Sequence, residues 1–136
     1  MIATQEEDFV ARVNHITGGK GARVVFDPIG GKGIEHLAQV TAFHGTIYEY
    51  GALAPEPTPF PLFAALAKGL TVRGYTLREI FIDPKLTAKA EKYVFDHIEK
   101  GDFKTRIDRV FPFSQIVEAH RYMESNDQIG KIVVTL

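Results

Sequence analysis

The 136-residue chain contains no cysteine and no tryptophan. Without thiols there is no disulfide framework, no cysteine nucleophile and no cysteine-ligated zinc. An excess of one charge is also lacking: 16 basic residues face 17 acidic ones, evenly spread, for a formal net charge of −1. No basic stripe exists to grip a phosphate backbone, so nucleic acid is not an expected partner. No apolar run approaches the ~20 residues a bilayer crossing needs, so no membrane partner is expected either. The opening residues, Met1 to Asp8, do not read as a secretory signal, and the expected location is cytoplasmic.

The common glycine-rich and metal-binding signatures are missing too. Gly18-Gly19-Lys20-Gly21 and Gly30-Gly31-Lys32-Gly33 both place glycine after the lysine, where a P-loop needs a hydroxyl for magnesium. The dinucleotide fingerprint fails as well, because position 36 is His36 and position 24 is Val24 where glycine is required. The first cluster reads as a helix stop. The second is a strand-to-helix turn or a place where backbone approaches a flat ligand. His15, His36, His44, His97 and His120 show no ligand spacing, so no metal is expected. Ser114 has no glycine elbow around it and reads as a helix cap rather than a nucleophile.

What is present suits a globular α/β chain. The 45% hydrophobic content is enough for a core, and a chain of this length can bury roughly two-thirds of its unfolded surface. Thr4 and Glu7 have capping-box spacing, and Phe9, Val10, Val13 and Ile16 follow as one helical stripe ended by Gly18 and Gly19. Arg23–Asp27 reads as a strand covered on both faces, Ile34–His44 as a helix closed by Gly45, and Thr46–Tyr50 as a second strand. Pro55, Pro57, Pro59 and Pro61 mark an extended loop beside the crevice. Leu62–Lys68 is a short helix stopped by Gly69, and Leu70–Tyr75 a third strand.

Asp83 and Pro84 open a long helix ended by Gly101. Its expected buried stripe is Leu86, Ala90, Tyr93, Val94 and Ile98, with an Asp96–Lys100 pair. Thr105–Phe111 reads as a strand. Ser114 caps a helix with Ile116, Ala119, His120 and Met123 on one face, and Lys131–Leu136 is the last strand. The order β-α-β-α-β is half of a doubly wound sheet, which binds ligands at the carboxyl ends of its strands. Phe9, Phe43, Phe63 and Phe95 are expected in the core. Glu49 fits badly, because a carboxylate in a covered strand needs a partner or a raised pKa. A half-exposed strand is the preferred explanation, and a side chain facing the crevice the alternative.

Three stretches carry a resemblance: Val24-Val25-Phe26-Asp27-Pro28-Ile29-Gly30-Gly31, Gly45-Thr46-Ile47 leading to Tyr50-Gly51, and Ala67 to Gly74. So does the run from Phe111-Pro112-Phe113-Ser114-Gln115 through Glu118 to Glu124 and on to Gly130-Lys131-Ile132-Val133-Val134. Together they resemble the second half of the medium-chain dehydrogenase/reductase family, in particular its quinone oxidoreductase-like and zinc-type alcohol dehydrogenase members. The resemblance implies an incomplete Rossmann-like sheet of three parallel strands, then a return segment of helices and two short strands. The implied division is residues 1–104, the rear half of a dinucleotide-binding domain, and 105–136, a segment that completes a catalytic domain.

NADP or NAD is the implied cofactor, bound weakly or not at all by the isolated chain. Asp27, Ile29, Gly30, Tyr50, Gly51, Ala52, Gly74 and Tyr75 would line the nicotinamide half, and Lys131 would offer charge to the pyrophosphate. Tyr50 and Glu49 depart from the smaller residues usual there. No catalytic residue and no metal ligand carries over. The expected parent is a zinc-independent reductase of quinones or enones with a small-molecule substrate, and the fragment alone is expected to be inactive. The alternatives are an oligomerising module, dimeric through the strand Leu70–Tyr75, a fragment of a zinc-dependent alcohol dehydrogenase, and a small nucleotide-binding domain unrelated to dehydrogenases.

Overall fold

Three parallel strands lie side by side, with Val25 opposite Ile47 and Ile47 opposite Val72. They belong to a computed structural model that describes Ile2 and residues 7–136. The strands are β1 (Ala22–Asp27), β2 (Thr41–Glu49) and β3 (Thr71–Gly74), in the order β1-β2-β3. The chain forms two compact units, Met1–Asp83 and Pro84–Leu136.

In the first unit, helix α1 (Phe9–Thr17) begins at Asp8, whose carboxylate accepts the Ala11 N–H at 3.0 Å. Asp8 is therefore the N-cap; Thr4 of the expected capping box lies outside the described residues. Gly18 ends the helix in the left-handed conformation, φ 59°. Its stripe is half-buried at Phe9, Val10 and Val13 and exposed at Ile16.

Helix α2 (Ile34–Val40) follows a short 3-10 turn at Gly31–Gly33 and supplies most of the core, with Ile34, Ala38 and Val40 buried beside Ile47. It stops four residues before the expected end at His44. The Thr41 hydroxyl donates to the Leu37 carbonyl at 2.7 Å, and the Lys68 ammonium donates to the carbonyls of Ala38, Gln39 and Thr41 at 3.1, 2.6 and 2.9 Å. Those bonds satisfy the helix's orphan acceptors and place positive charge at its C-terminus. Strand β2 starts at once. Its register jumps from Ala22–Thr41 to Val24–Thr46, and the slack is taken up through His44 at φ 55°.

Lys68 closes α3 (Leu62–Lys68), which has the expected bounds, with Gly69 left-handed after it. A four-residue helix, α4 (Arg78–Phe81), follows β3.

The second face of the sheet differs from the expected two-sided burial. Phe26 is 64% exposed and stacks on Tyr48 at 5.3 Å, and the Arg73 guanidinium lies 5.7 Å from the Tyr48 ring centre. The α2 side is covered; the aromatic side is open. Phe43 (70% exposed), Phe63 (86%) and Phe95 are likewise not core residues, and only Phe9 of the four is half-buried.

In the second unit, α5 (Pro84–Glu99) has no buried residue, so the expected stripe from Leu86 to Ile98 is not packed. Tyr93 instead gathers with His97 and Phe103, and Asp96 pairs with Lys92 at 2.9 Å rather than with Lys100. Strands β4 (Ile107–Pro112) and β5 (Lys131–Thr135) pair in parallel, joined by α6 (Ile116–Glu124). Ser114 does not cap α6 but sits inside a 3-10 turn, Phe113–Gln115. The packed face of α6 is Ile116, Ala119 and Tyr122; His120 and Met123 are exposed, contrary to expectation. The Tyr122 hydroxyl donates to Asp108 at 2.6 Å, which holds the phenol above its ordinary pKa.

Candidate functional site at the strand ends

Parallel pairing brings three carboxyl ends to one edge, with Asp27 beside Glu49 and Glu49 beside Gly74. Backbone bonds tie the turns beyond them together: Tyr50 N–H to Asp27 O at 3.0 Å, Ala54 N–H to Ile29 O at 2.9 Å, Tyr75 N–H to Glu49 O at 2.9 Å. Asp27, only 4% exposed, accepts the Ile29 N–H at 2.8 Å and the Gly30 N–H at 3.2 Å, fixing the turn after β1. Gly30 has φ 70° and ψ −146°, a region closed to side chains, and a Cβ there would meet the Thr58 hydroxyl. Thr58 itself accepts the Gly31 N–H at 2.8 Å, so the proline-rich loop folds back over the turn.

Of the nine residues expected to bind cofactor, eight converge at this edge. Asp27, Ile29 and Gly30 form the first turn, Tyr50, Gly51 and Ala52 the second, and Gly74 and Tyr75 the third. Gly51 packs its backbone against Pro28 where any Cβ would collide. The Gly51 and Ala52 N–H groups have no partner among the described residues, which leaves two donors free at the edge. Ile29 and Tyr50 are about half exposed there. Lys131 opens β5 in the other unit, its N–H bonded to Arg106 O at 2.8 Å. Next to the first turn lies a cleft of about 520 Å³, bordered by Asp8, Phe9, Asp27, Ile29, Gly30 and His36.

Glu49 is the electrostatic exception. Burial, the charge of Asp27 and a hydrogen bond to Asp27, in that order, hold its carboxyl above the ordinary glutamate pKa. One of its oxygens, Oε1, is buried without a partner. The strand is half-exposed, as preferred, with its aromatic face open, but Glu49 lies on the side of Ile47 and is itself half-buried. Thr58 was not singled out in the sequence; its link to Gly31 spans 27 residues and has no local signal.

The sequence profile of zinc-binding dehydrogenases matches residues 1–134. The chain belongs to that family. Within this zinc-binding dehydrogenase group it matches the C-terminal portion of medium-chain dehydrogenase/reductases. It is 28% identical over 134 residues to 2-haloacrylate reductase of a Burkholderia species, covering 94% of this chain and 39% of that protein. It is 28% identical over 133 residues to quinone oxidoreductase 1 of Escherichia coli K12, covering 96% and 41%. The solved structure of Escherichia coli quinone oxidoreductase complexed with NADPH superposes with a TM-score of 0.87 at 26% identity, covering 99% of this chain and 42% of that one. The chain thus spans about two fifths of the length of these relatives.

The family's two implied groups fare differently on this chain. Among the described residues no group of three His, Cys, Asp or Glu is placed to hold a metal ion, so these side chains do not fit a zinc site. The strand-end edge offers free backbone donors, a close glycine approach and flanking apolar side chains.

Proposed function

We propose that this chain supplies the nicotinamide-side half of the cofactor cleft in an NADP- or NAD-dependent, zinc-independent reductase of quinones or activated alkenes. The observation that carries the reading is the convergence of eight residues, Asp27 to Tyr75, at the carboxyl edge of one parallel sheet. The similarity to quinone oxidoreductase and 2-haloacrylate reductase supports the substrate class. The cofactor, when bound, supplies a hydride from nicotinamide C4. The protein's part is to hold and orient: Gly51 and Ala52 N–H groups toward the carboxamide oxygen, Ile29 and Tyr75 against the ring.

The glycine fingerprint that grips pyrophosphate at a helix N-terminus is not in this sequence. The isolated chain is therefore proposed to bind cofactor weakly and to lack reductase activity. NADPH added at millimolar concentration to the 15N-labelled chain is expected to shift the amides of Ile29, Gly30, Gly51, Ala52 and Tyr75. Shifts confined to other residues contradict the reading, and a micromolar dissociation constant contradicts the weak-binding part of it.

A second reading has its own observation. Strands β1 and β3 are the two edges of the sheet among the described residues, and open edges recruit partners; on β1 Val24 and Phe26 are exposed as well. On this reading the chain is an assembling module, dimeric through Leu70–Tyr75. Light scattering at tens of micromolar that returns a monomer removes it.

A further inference from the structure

Asp27 and Glu49 are register partners at the ends of adjacent parallel strands, so their side chains leave the sheet on the same face. Both Asp27 oxygens already accept backbone N–H groups, from Ile29 and Gly30. With both of those oxygens serving as acceptors, a proton held between the two acids is one that Glu49 carries and donates toward Asp27. Glu49 Oε1 is buried and unpartnered, which a neutral carboxyl tolerates far better than a carboxylate does. Glu49 Oε2 lies 3.9 Å from where a Gly30 Cβ would be, so the acid sits against the turn it would control.

We infer that Glu49 and Asp27 share one proton, and that this pair is a latch positioning the Ile29–Gly30 turn, which loosens when the proton leaves to solvent. Burial and the Asp27 charge push the Glu49 carboxyl upward, which moves that release above the ordinary glutamate range. The titratable groups around the Asp27 turn are mostly acids. Asp8 and Glu7 from the approach to α1 and His36 from α2 border the cleft with Asp27, and Glu7 is tied to Arg12 at 3.3 Å. Glu56 of the proline-rich loop lies against Gly31, and the β3 neighbour is the uncharged Gly74. Three of these are acids and none is a fixed cation, and the charge that bears on Glu49 is that of Asp27.

Glu49 acts here as a positioning residue: it works through Asp27 on the turn. Its consequence for cofactor binding rests on the function proposed above, whereas the latch itself does not. The test is a carboxyl-carbon NMR titration of the full chain without cofactor, with the Ile29 and Gly30 amides followed alongside. The expected result is a Glu49 midpoint above the ordinary glutamate value, with both amides shifting at that same midpoint. In Glu49→Gln, which keeps a donor toward Asp27, the amide shifts should vanish; in Asp27→Asn the Glu49 midpoint should fall. An ordinary Glu49 midpoint, amides that ignore it, or a midpoint unchanged in Asp27→Asn each overturns the latch. Because the readout needs no NADPH, cofactor shifts mapping away from this edge would remove the proposed function and leave the latch standing.

Discussion

The Lys68 ammonium reaches three carbonyls at the end of α2, those of Ala38, Gln39 and Thr41, across 27 to 30 residues of chain. Hydrogen bonds to a charged group contribute about 1.5–3 kcal/mol each at most, and these three share one ammonium group. Lys68→Met keeps the aliphatic stem and should cost about 1.5–3 kcal/mol in urea unfolding; a change under a few tenths would mean that water replaces the lysine. Glu49 gives a second expectation at this scale. Its folded pKa is raised above its unfolded value, so its contribution is fully present below pH 4.5, the ordinary value, and is lost as pH rises through the raised one. Unfolding of the native chain and of Glu49→Gln across that window should show the native chain losing stability relative to the variant as pH rises; parallel curves would contradict this. Glu49 was legible as a misfit because a carboxylate stands out in an apolar strand. Lys68 was not, since nothing near it in sequence names its partners.

Element boundaries divide along the same line. Helix α3 has the bounds read from the sequence because both of its signals are local, Pro61 before it and a left-handed Gly69 after it. Helix α2 does not, because Ala42-Phe43-His44 is compatible with a helix, and the early stop is imposed by Thr41 and Lys68. Thr41→Val, which keeps shape but removes the buried hydroxyl bond to Leu37, should cost about 1 kcal/mol in the same unfolding assay. No loss would show that the hydroxyl does not hold the helix end. Helix α6 was misread by one step around its axis. Ser114 looked like a cap, but the 3-10 turn absorbs it, and the packed row becomes Ile116–Ala119–Tyr122 instead of one including His120.

Taken whole, the chain exposes 10637 Å², whereas two separate compact bodies of these unit sizes would expose about 8,500 Å² by surface scaling. Phe26, Phe43, Phe63 and, on α5, Leu86, Tyr93, Val94 and Ile98 are among the apolar side chains left open. Parallel topology was legible from the alternation of strand and helix patterns, and the crevice from the strand ends; which face of the sheet is covered was not, because Val24, Phe26 and Tyr48 are as apolar as the residues of the covered face. The central claim is that this edge is the nicotinamide side and that the adenine side lies elsewhere. Amide NMR of the labelled chain with nicotinamide mononucleotide, compared with adenosine 2′,5′-bisphosphate at equal millimolar concentration, tests it most directly. The account predicts shifts at Ile29, Gly30, Gly51, Ala52 and Tyr75 with the nicotinamide compound and none there with the adenine compound. The reverse pattern, or no shift at these residues with either, would contradict it.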